Sequence, residues 1–458
     1  MSGYAFRRDP AELAVDAWRP LDRALHRWVR AHGGSERLAT VAAWASLADG
    51  NGDTALALDD ASRHGMPALT AVEIGQVRDE RMVGDGSGDA ATPFVLDGVN
   101  FYLARNHRDE CAVAALLRQR RALDEAYGAD EADIDALFHG ERGVAVELQR
   151  QAVRDVIGRR LFVLTGGPGT GKTTTVLRML LMLQREAGRT LRIEVAAPTG
   201  KAAQRLAQSL RHGKDRMRSD PHAPLPPAWQ PLLDAIPDAG ALTLHRLLGY
   251  QPWRNGFRRG PRERLVADVV VVDESSMVDL AMLRTLLEAV DAGATLILVG
   301  DADQLTSVAT GSVLMDLVAA LESAGSAGIV RLRHSFRAER QLVAVNEAVR
   351  AGDAGAFAAA SAAAGGKVVH ERLDDVVQLA ARLDRWAARL ASLEHLRPLL
   401  PMPAPPSAPD GGSLVRAAPA PAQPSAKRNR FVLDALDALA RCQLLCALRH
   451  GDFGATAV

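Results

Sequence analysis

Residues 161–175, LFVLTGGPGTGKTTT, join a short apolar run to a glycine-rich loop. Lys172 and Thr173 complete the spacing G-x-x-x-x-G-K-[ST], in which the glycines let backbone N–H groups face a triphosphate. The helix that follows adds partial positive charge at its first turn. The pattern therefore predicts that Lys172 reaches the β- and γ-phosphates and that Thr173 holds Mg²⁺. The predicted nucleotide-binding residues of this loop are Gly166, Gly167, Pro168, Gly169, Thr170, Gly171, Lys172, Thr173 and Thr174.

Polar residues at the ends of later apolar runs suit the same chemistry. Asp273 and Glu274 close VVVVDE, where Asp273 would act on Mg²⁺ through its water shell and Glu274 would orient or deprotonate the attacking water. Gln304, in GDADQL, is a candidate sensor of the γ-phosphate or of that water. Arg337, in HSFR, is a candidate for neutralising charge on the transferring phosphoryl group. Taken alone, Gln304 would indicate a turn and Arg337 a surface residue. The functional interpretation of both residues therefore depends on the phosphate loop upstream.

These motifs need a sheet to bring them together. Four apolar runs follow the first, beginning near residues 193, 269, 295 and 329, and helical segments separate them. Near-continuous Val, Ile and Leu runs are typical of parallel strands that are buried on both faces. Ligands of such sheets bind beyond the carboxyl ends of the strands. The sequence therefore predicts an α/β fold in which five segments converge on one site.

Six segments of the sequence, in order, resemble motifs I, Ia, Ic, II, III and IV of the RecD helicases. Those proteins are the alpha subunit of exodeoxyribonuclease V and belong to helicase superfamily 1. Gln149 stands where the family has a glutamine that contacts adenine, and RPLDRALHRWV and NFYLARNHRDECAVAALL resemble its amino-terminal domain. The resemblance runs from Arg19 to about Phe357. The motifs are GGPGTGKTTT, APTGKAAQRL, LTLHRLLGY, VVVVDESSMVD, GDADQLTSVATGSVLMDL and HSFR.

The resemblance implies a motor that uses ATP and Mg²⁺ to move 5′ to 3′ on single-stranded DNA. Such a motor works with RecB-like and RecC-like subunits on broken DNA ends, in repair and recombination. It implies a RecA-like motor domain, a mostly helical N-terminal domain that docks on a partner, and a second motor domain. Motif V and the motif VI arginine are not recognisable here, so we expect a second motor domain that is incomplete and a chain truncated at its C-terminus. An inactive interaction subunit that binds nucleotide, and a free-standing helicase, remain alternatives.

Several residues are candidates for contact with DNA. Thr199 and Lys201 follow a strand and open a helix, where a backbone phosphate can bind. Thr243 offers a phosphate donor and His245 a ring on which a base can stack, although a packed core histidine is the alternative. Further on, arginines surround two aromatic residues, a composition that suits single strands but also a solvated loop. They are Arg254, Arg258, Arg259, Arg262 and Arg264, around Trp253 and Phe257.

Composition limits the alternatives. Lys plus Arg equals Asp plus Glu at 55 each, so DNA contact requires a local groove and not a global positive field. The sequence lacks an apolar run of membrane-spanning length and a signal-peptide core, which predicts a cytoplasmic protein. Cys442 and Cys446 are more typical of core thiols than of a metal site, and with Cys111 they are too few for an iron–sulfur cluster with four cysteine ligands. Outside the ATP site, no carboxylate cluster suggests a nuclease.

The chain of 458 residues divides by composition into several parts. Nine prolines between residues 398 and 424 indicate a disordered linker. The predicted parts are an N-terminal partner-docking domain (1–120), a connector (121–148), an ATPase domain (149–340), the helical start of a second motor region (341–397), the proline-rich linker (398–426) and a remnant of the second motor domain (427–458).

Overall fold

The computed structural model describes residues 18–391 with short gaps, together with positions 434, 436, 444 and 445. Arg337, Cys442, Cys446 and the predicted linker at 398–426 lie outside the described residues. The chain separates into two compact units, Met1–Val343 and Ala344–Val458. The gaps are residues 61–63, 88–91, 126–127, 140, 220–224, 239, 305–309, 312, 335, 337–339 and 374.

The first unit begins with a small domain of helices around a four-stranded sheet. Its strand order is β1-β4-β3-β2, and Trp44, Phe94 and Phe101 are buried in its core. The resemblance implies a mostly helical domain; the strands that the structure adds are only two to four residues long, which is too short for a clear alternation of apolar and polar residues. The elements are α1 Pro20–Ala31, α2 Glu36–Gly50, β1 Ala55–Ala57, α3 Ala71–Arg78, β2 Val83–Gly84, β3 Phe94–Asp97, β4 Asn100–Leu103 and α4 Ala104–Arg121.

The motor region of this unit is a six-stranded parallel sheet in the order β12-β5-β11-β10-β6-β7. All five strands expected from the apolar runs are present and parallel, which confirms the predicted α/β class. The elements are α5 Glu131–Phe138, α6 Val144–Asp155, β5 Leu161–Gly166, α7 Lys172–Ala187, β6 Ile193–Ala197, α8 Gly200–Ser219, α9 Gln230–Ala235, β7 Leu242–Thr243, α10 Leu244–Leu247, β8 Tyr250–Gln251, β9 Gly256–Phe257, β10 Val269–Val272, α11 Leu280–Ala289, β11 Thr295–Gly300, α12 Val313–Ser323 and β12 Ile329–Leu332.

The central strands are apolar throughout because both faces of the sheet are covered. Alternate residues of β5 enter different cores: Phe162 and Leu164 pack on the face covered by α6 and α7, and Leu161 and Val163 pack on the face covered by α11 and α12. This two-sided burial fixes the strands in register. It therefore holds the loops that leave their carboxyl ends in fixed relative positions.

Two segments join the small domain to the motor region. Helix α5, in the predicted connector, buries Ile134 and Phe138 in the motor core. On the other face, the Arg120 guanidinium of α4 donates to the carbonyl of Ala294 at 3.1 Å, and Asp109 pairs with Arg284 of α11 at 2.6 Å. The small domain is therefore attached to the sheet by side chains that are far apart in sequence.

Helices α13 Arg340–Ala351, α14 Ala354–Ala363 and α15 Val376–Ala391 follow β12. They occupy the stretch in which the apolar spacing predicts helices. In the second unit, the Asp353 carboxylate caps α14 by accepting from the Ala356 N–H at 2.9 Å. Among the residues described, we find no helix with the length and apolar character needed to cross a membrane.

Candidate active site

A cavity of about 1160 Å³ lies at the carboxyl ends of the central strands. It brings together the predicted phosphate loop, acidic pair, Gln149 and Gln304, along with Thr199 and Lys201. Thr243 and His245 do not line it. Sequence elements more than 150 residues apart therefore meet at one site, as expected for a parallel sheet. The residues named in the sequence analysis that line it are Gln149, Pro168, Gly169, Thr170, Gly171, Lys172, Thr173, Thr174, Thr199, Lys201, Asp273, Glu274 and Gln304.

The phosphate loop has the backbone that its glycines permit. Gly169 and Gly171 have φ angles of +77° and +85°, a region that residues with a Cβ rarely adopt. A Cβ on Gly171 would also lie 2.7 Å from the Gln149 Nε2. The Thr170 hydroxyl donates to the Gly167 carbonyl at 2.9 Å, which tightens the turn. The loop thus leads directly into the first turn of α7.

The Lys172 ammonium lies against the loop. Its Nζ donates to the carbonyls of Gly166 at 2.6 Å and Gly167 at 3.1 Å. Both acceptors are neutral, so the positive charge of Lys172 is not cancelled by these bonds. A phosphate would be a stronger acceptor, because it carries a charge opposite to that of the ammonium.

Gln149 is buried beside the phosphate loop on the middle of α6. Its Nε2 donates to the Thr170 carbonyl at 3.3 Å, and its Oε1 accepts from the Arg178 guanidinium at 3.1 Å. Arg178 stacks 4.1 Å from the centre of the Phe138 ring, and burial lowers its pKa to about 10. Arg178 could not be identified from the sequence, because a lone arginine on the helix after the loop belongs to no motif. Its contacts orient the amide of Gln149.

The acidic pair sits where β10 ends. The Glu274 N–H donates to the Asp273 Oδ1 at 2.9 Å, and Glu274 has a left-handed φ of +52°. Burial raises the pKa of Asp273 above its usual value; the Glu274 N–H bond lowers it, the charge of Glu274 raises it and Lys172 lowers it. A strained non-glycine residue beside a desolvated carboxylate is characteristic of functional sites.

Gln304 follows β11 and belongs to the same cavity. Its N–H donates to the Asp301 carbonyl at 3.2 Å, and the buried Thr165 hydroxyl accepts from the Ala302 N–H at 3.2 Å. Next to the undescribed Arg337, the Phe336 N–H donates to the Gly169 carbonyl at 2.9 Å. The residue immediately before Arg337 is therefore hydrogen-bonded to the phosphate loop. Phe336 also lines the cavity, a position the sequence analysis did not single out.

The DNA candidates occupy two places. Thr199 accepts from the Ala202 N–H at 3.2 Å at the start of α8, and Lys201 is exposed beside it. Thr243 caps α10 by accepting from the Arg246 N–H at 3.3 Å. The exposed His245 ring lies 5.4 Å from the Tyr250 ring and 5.7 Å from that of Phe257. His245 is thus part of an exposed aromatic cluster and not a core residue.

Part of the basic stretch is already paired. Glu263 binds both Arg258 at 3.3 Å and Arg259 at 3.1 Å, and Arg264 binds Asp291 at 2.7 Å. Among the described residues, Arg254 and Arg262 have no ion-pair partner. The sequence could not distinguish paired from unpaired arginines, because Asp291 lies in the loop after α11, far from the arginines in sequence.

The sequence is similar to those of known proteins over the motor region. An AAA domain family model matches residues 149–310. The RecBCD enzyme subunit RecD of Mycobacterium tuberculosis is 42% identical over 260 residues, which cover 55% of this chain and 41% of that protein. The ATP-dependent RecD2 DNA helicase of Deinococcus radiodurans is 35% identical over 251 residues, which cover 55% of this chain and 30% of that protein. The matches span less than half the length of these curated relatives.

The structure aligns in part with the Pif1 helicase from Bacteroides in complex with ADP-AlF3 and single-stranded DNA, over 56% of this chain and 58% of that one. The TM-score is 0.29 and the sequence identity 19%.

Proposed function

We propose that the chain is a member of the RecD family of superfamily 1 helicases and that it carries the first motor domain of an ATP-driven DNA helicase that moves 5′ to 3′. The supporting observation is the one cavity that contains the phosphate loop, Asp273, Glu274, Gln304 and Gln149. A phosphate loop alone would support only nucleotide binding. The acidic pair and Gln304 add the groups needed to activate water and to sense the phosphate that leaves.

The residues fit ATP and Mg²⁺. Gly169 and Gly171 have positive φ angles, and Gln149 approaches Gly171 closely, so these two positions favour glycine. The resulting loop has a backbone shape that suits a phosphate. In the described part of the chain, no three His, Cys, Asp or Glu side chains are grouped closely enough to form a metal cage. Mg²⁺ in nucleotide sites instead uses one or two protein oxygens with phosphate and water oxygens. Thr173 and Asp273 would supply the protein oxygens.

Each residue then has a role in hydrolysis. Lys172 would leave the two loop carbonyls and bind the β- and γ-phosphates, and Gln149, oriented by Arg178, would contact the adenine. Glu274 would orient the attacking water and accept its proton. Gln304 would sense the γ-phosphate, and Arg337 would neutralise charge on the transferring group. Mg²⁺, when bound, neutralises phosphate charge.

The proposed DNA contacts are Thr199, Lys201, Thr243 and His245. The Thr199 and Thr243 hydroxyls use an oxygen lone pair in helix capping and keep their protons to donate to a phosphate. The exposed His245 cluster offers ring faces for bases. These contacts would hold a strand with little preference for sequence.

We further propose RecB-like and RecC-like subunits as partners, acting with this chain on broken DNA ends. The curated relative is named as a subunit of the RecBCD enzyme. Leu21 and Trp28 of α1 are exposed seven residues apart, on one face of the helix, and give an apolar surface for docking. The relative from Deinococcus radiodurans, named as an ATP-dependent helicase, keeps the free-standing alternative open. Co-purification with candidate subunits distinguishes these two.

The test is ATP turnover by the purified chain with and without single-stranded DNA. We expect turnover that depends on DNA, and we expect Lys172→Ala to lower kcat by about 100-fold or more, because a positioned charge on the transferring phosphate is lost. The melting temperature should stay close to that of the wild type, since the Lys172 ammonium contacts only loop carbonyls.

The matched control is Lys367→Ala, which removes an exposed lysine in the second unit. It should turn over ATP like the wild type. The proposal would be contradicted if Lys172→Ala hydrolysed ATP at the wild-type rate. It would also be contradicted if the wild type hydrolysed ATP equally fast with and without single-stranded DNA.

A further inference from the structure

The small N-terminal domain contacts the segment that follows Gln304. The Thr310 Oγ1 lies 2.8 Å from the Asp49 Oδ1 and 3.1 Å from the Asp49 carbonyl oxygen, at the end of α2. The next residue extends the contact, because the Gly311 N–H donates to the Gly52 carbonyl at 2.8 Å. These atoms are separated by about 260 residues of sequence, so the contact is purely tertiary.

Asp49 is itself held in place by its own domain. Its Oδ1 accepts from the Asn106 Nδ2 at 2.8 Å, and its Oδ2 accepts from the Arg105 guanidinium at 2.6 Å. The Asp49 side chain is only 13% exposed. A carboxylate with both oxygens bonded and little contact with water keeps one geometry, so it gives Thr310 a fixed acceptor.

On the motor side, Thr310 is bound to the element that leaves the acidic pair. Its carbonyl accepts from the N–H of Leu280, the first residue of α11, at 3.2 Å. Helix α11 follows Glu274 after the single turn Ser275–Met277. Gly311, at a φ of +101°, packs so closely that a Cβ there would lie 3.0 Å from that of Leu280. Thr310 therefore connects Asp49 to the chain just beyond Glu274 and lies six residues after Gln304.

We propose that Asp49 is a positioning residue for ATP hydrolysis, which lets the N-terminal domain set the rate of turnover. This inference rests on the ATPase function proposed above. Glu274 and Gln304 must be held to a fraction of an ångström to act on the same water. The Asp49–Thr310 contact fixes Thr310 against Leu280, six residues beyond Glu274, and a displacement of about 1 Å at such a site can cost about 100-fold in rate.

The test compares two substitutions at Thr310 in the full chain with saturating single-stranded DNA. Thr310→Val keeps the shape but removes the donor to Asp49, and we expect kcat to fall about tenfold or more while the KM for ATP stays within twofold. Thr310→Ser keeps the hydroxyl and should behave like the wild type. Rescue by serine separates positioning from simple packing. Equal kcat for the valine variant and the wild type would overturn the proposal.

Arg37→Ala is the control for stability of the N-terminal domain. It removes the ion pair with Glu73 and leaves every bond of Asp49 intact. We expect a lower melting temperature and an unchanged kcat. A fall in kcat that matches that of Thr310→Val would show that kcat reports domain stability, and the positioning role would be wrong.

A second measurement does not depend on turnover. Coupling between two sites is reciprocal, so a nonhydrolysable ATP analogue with Mg²⁺ should slow hydrogen exchange at residues 47–55 of the wild type. Thr310→Val should abolish this change, although it still binds the analogue. If the analogue slows hydrogen exchange in the wild type but the wild type does not hydrolyse ATP, the proposed ATPase function is wrong. The coupling between the nucleotide site and the N-terminal domain is then still supported. Wild-type turnover without the exchange change would refute the coupling alone.

Discussion

The residues that end β10 show how burial and local backbone shape prepare a carboxylate for metal chemistry. Asp273 lies at the carboxyl end of the buried run VVVV, and burial raises its pKa. At the amino end of the same strand, Asp268 has a lowered pKa because the guanidiniums of Arg192 and Arg189 bond to it. Two aspartates on one strand thus have opposite electrostatic contributions to folding.

This contrast gives a prediction about pH. The pKa of Asp273 is higher in the folded than in the unfolded state, so ionisation of Asp273 destabilises the fold. This loss of stability begins as pH rises past about 4 and is complete above the folded pKa. Asp273→Asn should therefore raise the melting temperature at pH 7, and the gain should shrink toward pH 4. The same substitution should weaken binding of Mg²⁺ with ATP.

Asp268→Asn is the matched control with the opposite sign. The folded pKa of Asp268 is depressed, so it contributes stability that is present above its unfolded pKa and lost as pH falls through the folded pKa. The variant should melt below the wild type at pH 7. Melting curves between pH 4 and pH 8 check both, and a destabilised Asp273→Asn at pH 7 would count against the burial argument.

At the scale of elements, the β8–β9 hairpin and its flanks form a candidate DNA surface. The hairpin holds the rings of Tyr250 and Phe257 against His245, and Trp253 is 78% exposed at its turn. The adjacent arginines differ, because three of them form ion pairs, two sharing Glu263 and one with Asp291. A paired arginine has less charge to offer to a phosphate.

The corresponding prediction concerns salt dependence. Arg254→Glu with Arg262→Glu should flatten the dependence of single-strand affinity on salt by about 0.7 in log–log slope for each phosphate contact that is lost. Arg264→Glu is the comparison, since its guanidinium already binds Asp291, and it should flatten the slope less. The measurement is a titration of labelled oligonucleotide at several salt concentrations. Equal slopes for the wild type and the double variant would indicate that the arginine-rich segment is a solvated loop and does not contact DNA.

At the scale of the molecule, the ATP-site residues lie in the first unit and the second unit carries α14 and α15. A helicase moves because nucleotide closes two motor domains while each holds the strand. Nucleotide binding needs only the cavity of the first unit, so binding of nucleotide and motion along DNA can be separated by experiment.

We expect the 458-residue chain to bind ATP with Mg²⁺ but to unwind duplex DNA weakly. The resemblance assigns a second cationic contact on the transferring phosphate to the arginine of motif VI, which we do not recognise in this sequence. Loss of such a contact lowers the rate of hydrolysis by about 10³- to 10⁵-fold. Strand displacement from a duplex with a 5′ overhang should be compared for this chain and for a version extended by a full second motor domain. Robust unwinding by the shorter chain would refute this expectation.

The sequence by itself determined the elements that carry chemistry. The glycine spacing around Lys172 specifies a loop because φ angles and N–H groups are local properties, and the run ending in Asp273 specifies a buried strand because side-chain polarity is local as well. Five strands, their order along the chain and their polar ends could therefore be read without coordinates. Short strands such as β2 carried too few residues for a pattern.

The tertiary structure decided which distant residues meet. The bond from Arg178 to Gln149, the contact of Asp49 with Thr310 and the pairing of Arg264 with Asp291 each join separate segments. No local periodicity encodes such pairs, because they depend on how helices pack across both faces of the sheet. Only the packed fold brings their side chains within hydrogen-bond distance, and this separates an oriented active site from a set of motifs.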